Sequence, residues 1–251
     1  MIQAVFFDLY GTLVDVQTNE TELPPYERLA EWLSDRKIRA APTQLQKSYL
    51  ETVAKLKAAL TDPDAEIDIR PVFQSMLQQL GVAKPQPTMI EDFGWAFRRY
   101  TRVKCHPVAG ANDLLNRLKA DFRLGLVGDA QKIFTMKELE ELRMVEPFET
   151  VILSSETGFR KPSTKMFEVV LQALEVAPEE AVFIGDSVRE DVAGAKAAGI
   201  RTLHYCPGTP PTGGPEPDAR VKRLSEVAKK IEEWQEPMEG SLVDEILDDE
   251  E

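Results

Sequence analysis

The chain has 251 residues, 43% of them apolar, with 30 Lys plus Arg against 43 Asp plus Glu and a formal charge of −13. The apolar content suffices for a packed core and excludes wholesale disorder, while the acidity argues against broad attraction to phosphate backbones or anionic headgroups. We therefore expect no nucleic-acid and no membrane partner. With neither a basic leader followed by an apolar stretch nor a run long enough to cross a bilayer, a cytoplasmic protein is expected. Cys105 and Cys206 lack the close spacing of metal or redox pairs and read as reduced thiols.

In chain order, short continuous apolar runs predict strands at 3–8, 123–127, 150–153, 181–186 and 201–205, with a weaker one near 220–221. Runs of this kind suit parallel strands covered on both faces. Helical periodicity fills the gap after the first strand, at 26–36, 43–60, 71–80 and 88–103, punctuated by Pro42, Asp62-Pro63 and Lys84-Pro85-Gln86-Pro87. Further helices are predicted at 111–120 and 224–234, and the five prolines and three glycines of 207–217 mark a loop. The fold class is α/β, a Rossmann-like three-layer core with a parallel sheet, interrupted after the first strand by an all-helical insertion. Residues 1–15 and 106–235 make the core and 16–105 the insertion. The last twenty residues hold ten acidic side chains and no basic one. The other 231 are almost neutral, and 236–251 read as a solvated, disordered acidic tail. No heptad pattern or interface patch defines an oligomeric state.

Chemistry collects at predicted strand ends, where ligands of open parallel sheets bind. Asp8 follows the first strand, Asp186 ends the strand at 181–186, and Asp191 stands about one turn into the next helix, behind Ser187 as N-cap. Three converging carboxylates need a counterion, and hard oxygen donors suit Mg²⁺. Lys161, just before Pro162, supplies fixed positive charge, and the turn at Gly128-Asp129 offers backbone donors to a phosphoryl group.

The joint order of these motifs resembles the haloacid dehalogenase superfamily, in the subgroup whose helical cap is inserted after the first strand. Its motifs align with Asp8-Leu9-Tyr10-Gly11-Thr12-Leu13, with Lys161-Pro162, and with Gly185-Asp186-Ser187 through Asp191. The resemblance implies a hydrolase in which Asp8 attacks phosphorus to form an aspartyl-phosphate on a small phosphorylated metabolite. It also implies Mg²⁺ held by Asp8, the Tyr10 carbonyl, Asp186 and Asp191, with Gly128, Asp129 and Lys161 on the phosphate.

Two departures bear on catalysis. Family phosphatases carry a second Asp two residues after the nucleophile as acid and base, where this chain has Tyr10, and their Ser or Thr before Asn is here Gly128-Asp129. Proton transfer then falls to Asp129, or the esters have good leaving groups, or the protein is a weak or inactive binding relative. Dehalogenases of the superfamily share Asp-x-Tyr-Gly-Thr and use the aspartate on carbon without metal. The retained Gly-Asp-Ser-x-x-x-Asp pattern favours phosphate over that alternative. Within the cap, Trp95, Arg98 and Arg102 share a helical face and are candidates for an anionic substrate; the competing expectation is a solvated basic face pairing with acidic neighbours such as Glu91, with Trp95 in the cap core.

Overall fold

The protein is described here by a computed structural model, covering residues 1–235; the acidic segment 236–251 lies outside the described residues. Six parallel strands form one sheet in the order β5-β4-β1-β6-β7-β8: β1 Ala4–Phe7, β4 Arg123–Gly128, β5 Thr150–Leu153, β6 Ala181–Gly185, β7 Arg201–Tyr205 and β8 Ala219–Val221. All six were predicted, to within about a residue at each end.

Successive β1 residues face opposite layers, as the two-residue period of a strand requires. Val5 and Phe7 pack with α5 (Ala111–Leu118) and α10 (Val227–Gln235), whereas Ala4 and Phe6 pack with α8 (Thr164–Ala173), which follows the single-turn α7 (Ser154–Thr157), and with α9 (Ala193–Ala197). Burial of this kind stabilises by roughly 1.5–3 kcal/mol per large apolar side chain. These are the three layers expected.

Between β1 and β4 lie α1 (Pro24–Ser34), α2 (Pro42–Ala58), α3 (Arg70–Gln79) and α4 (Pro87–Thr101). Each carries proline in its first turn, where the missing N–H costs nothing. Their shared core of Tyr26, Tyr49, Phe73, Phe93 and Phe97 also takes in Ile133 and Phe134 of α6 (Lys132–Glu141), a helix of the sheet region. The fourth helix, expected to run to 103, stops at Thr101. Arg102–Pro107 form β3, which pairs antiparallel with β2, Val14–Thr18. The two linkers into and out of the helical unit are thus a hydrogen-bonded ribbon. Among the described residues no helix is long and apolar enough to cross a membrane, and both cysteines are free thiols.

Candidate active site

The sheet register levels the strand ends: Phe7 of β1 pairs with Leu126 of β4 and Ile184 of β6. Residues just beyond these pairs therefore meet at one edge. Asp8 donates its backbone N–H to the Ile184 carbonyl at 2.9 Å and buries its carboxylate. After β6 the chain turns at Ser187, whose hydroxyl accepts the Glu190 N–H at 3.2 Å, into a wide helical turn over Val188–Val192. That turn buries Asp191, and the Ser187 N–H donates to its Oδ2 at 2.9 Å. Gly185 lies directly beneath; a Cβ there would collide with the Asp191 carboxylate.

Carboxylate oxygens of Asp8, Asp186 and Asp191 all lie within 4.8 Å of one another. Lys161, itself buried, places its ammonium between two of them, donating to Asp8 and, at 2.6 Å, to Asp191 Oδ1. Thr12, fully buried, donates its hydroxyl to Asp186 Oδ1 at 3.0 Å, and His204 Nε2 donates to the Asp186 main-chain carbonyl at 3.0 Å. Neither Thr12 nor His204 was singled out from the sequence. Thr12 stood inside the Asp-x-Tyr-Gly-Thr motif and was legible there; His204 had only its place on a strand neighbouring β6.

One ammonium does not balance three carboxylates. Burial pushes the Asp8 carboxyl up to about 8, against the pull of Lys161 and with help from Asp191 and Asp186. Asp186 is raised by burial and by Asp191. Burial works against the Lys161 ammonium, yet Asp191 and Asp8 outweigh it and hold the group charged. An oxygen-rich pocket with excess negative charge is the donor chemistry of a hard divalent cation, so these residues fit Mg²⁺.

Asp129, just after β4, joins the group through its Oδ1, which accepts the Lys161 N–H at 2.9 Å. Burial raises its carboxyl to about 6, opposed by Lys161. Of the turn's expected phosphate donors, the Ala130 N–H is engaged by Ser154 Oγ at 2.9 Å. Gly128 is the last residue of β4.

Tyr10 points away, toward α6. Its phenol donates to Glu138 Oε2 at 2.5 Å, with Thr135 Oγ1 at 3.2 Å. Glu138, 1% exposed, also accepts from Arg98 Nε at 2.7 Å and Nη2 at 3.1 Å. Burial and Glu138 drive the Tyr10 phenol well above its ordinary range. Glu138 carried no sequence signal beyond being an acid on the buried face of α6, beside Phe134 and Thr135.

The three α4 candidates part company. Arg98 lines a cavity of about 430 Å³ together with Tyr10, Asp129 and Phe134, but its fork is engaged by Glu138. Arg102 pairs with Glu141 at 2.9 Å and Glu138 at 3.4 Å, and Trp95, half-buried, lies under Arg102 and Lys137. The pairing partners are on α6, not the neighbouring Glu91 anticipated from the sequence.

Comparison with known proteins accords with this geometry. The sequence pattern of haloacid dehalogenase-like hydrolases matches residues 2–199. The chain is 27% identical over 206 residues to a glyceraldehyde 3-phosphate phosphatase of Pyrococcus abyssi, covering 82% of each protein. It is 33% identical over 159 residues to a phosphoserine phosphatase of Thermus thermophilus, covering 62% of each. Its fold is similar to the crystal structure of a 2-haloacid dehalogenase from Pseudomonas syringae, with TM-score 0.67 and 24% identity over 93% of this chain and 100% of that one. The chain belongs to the haloacid dehalogenase-like hydrolases.

Proposed function

We propose that this hydrolase is a Mg²⁺-dependent phosphatase of small phosphorylated metabolites, working through an aspartyl-phosphate on Asp8. The observation that carries this reading is the Asp8, Asp186 and Asp191 cluster within 4.8 Å, bridged by a buried Lys161. The phosphatase names of the Pyrococcus and Thermus relatives support it. Asp8, Asp186 and Asp191, with the Tyr10 carbonyl, would hold Mg²⁺, which when bound neutralises charge on the phosphoryl group.

Asp8 attacks phosphorus, and the ester P–O bond breaks. Lys161 orients the nucleophile and offsets charge on the transferring group. The leaving oxygen needs a proton. Tyr10 is a poor source, because its hydrogen is held by Glu138 and its phenol is raised further by burial. Asp129, raised to about 6 and lining the cavity, is the better donor. As carboxylate it then takes the proton of the water that attacks the phosphorus of the intermediate, releasing phosphate and restoring Asp8.

Phosphate release from a panel of monoesters, with Mg²⁺ and with EDTA, tests this. The expected result is Mg²⁺-dependent turnover that Asp8→Asn abolishes. Tyr10 favours one competing reading, attack of Asp8 on a carbon–halogen bond, since halide needs no proton. Halide release from a 2-haloacid that persists undiminished in EDTA would establish that reading instead.

A further inference from the structure

The 430 Å³ cavity lies between α6 and the helical unit, and its Tyr10 and Asp129 wall adjoins the Asp8 site. Its size falls in the range, roughly 300–1,000 Å³, that encloses compact organic ligands. Tyr49, Val53, Ile67, Ile69 and Phe134 give it an apolar side, and Glu20 and Glu66 stand on its lining as acceptors.

Two cations also reach it. Lys57, near the C-terminal end of α2, lines the cavity but is itself exposed to solvent. Arg98 is the buried one, 6% exposed, and its charge is already answered. Glu138 takes Nε and Nη2, and Glu20 stands 3.9 Å from Nη1. On the phosphatase reading, the phosphoryl group would sit at the Asp8 site, where the Tyr10 and Asp129 wall ends. An anionic group on the other end of the substrate would therefore face two carboxylates with no free buried cation.

We infer that the cavity accepts monoesters whose leaving group is uncharged, with an apolar face and hydroxyl donors, and that Glu138 sets this preference by neutralising Arg98. The inference rests on the phosphatase reading and names the substrate class for that same site. The electrostatics are large enough to decide selectivity: a like charge ~7 Å away, at an effective dielectric of ~20, weakens binding roughly 50-fold, and about sevenfold if solvent doubles that dielectric. Glu138→Gln keeps an oxygen for Arg98 but frees its positive charge on the cavity wall, so Glu138 acts as a specificity determinant through Arg98.

The test compares phenyl phosphate with 4-carboxyphenyl phosphate, which differ by one carboxylate. It reads kcat/KM in Mg²⁺ and, on the Asp8→Asn protein, Kd by calorimetry. Wild type is expected to favour phenyl phosphate at least tenfold, mostly in KM and Kd. Glu138→Gln should narrow that ratio at least fivefold by improving the carboxylated ester, whereas Arg98→Met, which removes the cation, should not narrow it. Equal handling of the two esters by wild type, or an unchanged ratio in Glu138→Gln, overturns the inference. Should Glu138→Gln fail to fold, Glu20→Gln and Glu66→Gln, on partly exposed side chains, are expected to narrow the ratio severalfold; no change in either is equally fatal. Absence of turnover on both esters overturns the phosphatase reading, while the two Kd values still report the charge preference by themselves.

Discussion

The Asp8 cluster, with Asp8, Asp191 and Lys161 buried and Asp186 at its exposed rim, and the Glu138 cluster both touch the loop after β1 and both join side chains far apart in sequence, but their charges balance differently. Around Asp8, three carboxylates share one ammonium. Around Glu138, one carboxylate meets the guanidinium groups of Arg98 and Arg102, with Glu141 and Glu20 at the outside. A cluster in which every carboxylate is met by a guanidinium needs nothing further and serves to hold elements together, here α4 against α6 and Tyr10. A cluster with surplus charge is costly until something positive arrives, and that shortfall marks the site of chemistry.

Removing one acid from each cluster should therefore have opposite effects on stability. Asp8→Asn is expected to lower turnover by ~10⁴-fold or more, since no other group can take the nucleophile's place. In EDTA the same change should leave the melting temperature unchanged or raised, because it relieves like-charge crowding. A melting temperature in EDTA that falls by many degrees would mean that the two clusters are alike.

Glu138→Ala leaves the buried Arg98 guanidinium with only Glu20, 3.9 Å from Nη1, and should cost about 3–5 kcal/mol. Replacing the pair together, as Arg98→Met with Glu138→Leu, should recover most of that loss, since an apolar pair of similar volume avoids desolvating two charges. Urea denaturation of the singles and the double gives the coupling directly. If the double is no more stable than Glu138→Ala, the pair contributes more than mutual charge balance.

How much of this was legible beforehand follows the same division. Asp8 and Asp186 end apolar runs, so strand periodicity places their backbones at one sheet edge, whereas Lys161 and Asp191 lie beyond their strands and were legible only through the joint order of the motifs and the family these resemble. Glu138 and its partnership with Tyr10 and Arg98 depend on how the helical unit docks on α6. Nothing local in the sequence encodes that docking. The β2 and β3 ribbon escaped for a different reason: Val14–Thr18 does alternate apolar and polar residues but is only five residues long, and Arg102 and Val103 continue the helical pattern of α4, so the strand partner of β2 is fixed only by pairing between distant segments. Thr12 was in plain view within its motif; the missing information was only that its hydroxyl reaches Asp186.

Asp129 sits between the two clusters and gives a smaller effect. Asp129→Asn should slow alkyl phosphates by ~10²-fold, and aryl phosphates less, because a good leaving group needs little proton transfer. One of its oxygens already serves the Lys161 N–H, so the amide keeps the local structure and isolates the proton. Equal loss on alkyl and aryl esters would assign Asp129 to phosphate binding alone.

The smallest expected signal is a shift of a few degrees in melting temperature, yet it probes the surplus charge most directly. Without metal, burial raises the Asp8 carboxyl to about 8, while the unfolded chain releases that proton near 4. Between those values the folded protein holds a proton that the unfolded chain has lost, so stability in EDTA falls as pH climbs from about 4 to about 8. Asp129, raised to about 6, adds to the slope below that pH. A divalent cation at Asp8 must displace the proton, so the melting-temperature gain from millimolar Mg²⁺ should be small at pH 6 and grow up to pH 8. Asp8→Asn should flatten the dependence, whereas Glu138→Gln, in the balanced cluster, should leave its slope intact. A Mg²⁺ gain that is constant from pH 6 to pH 9 would remove Asp8 from the cation's donor set, and with it the reason to read the surplus charge around Asp8 as a metal site.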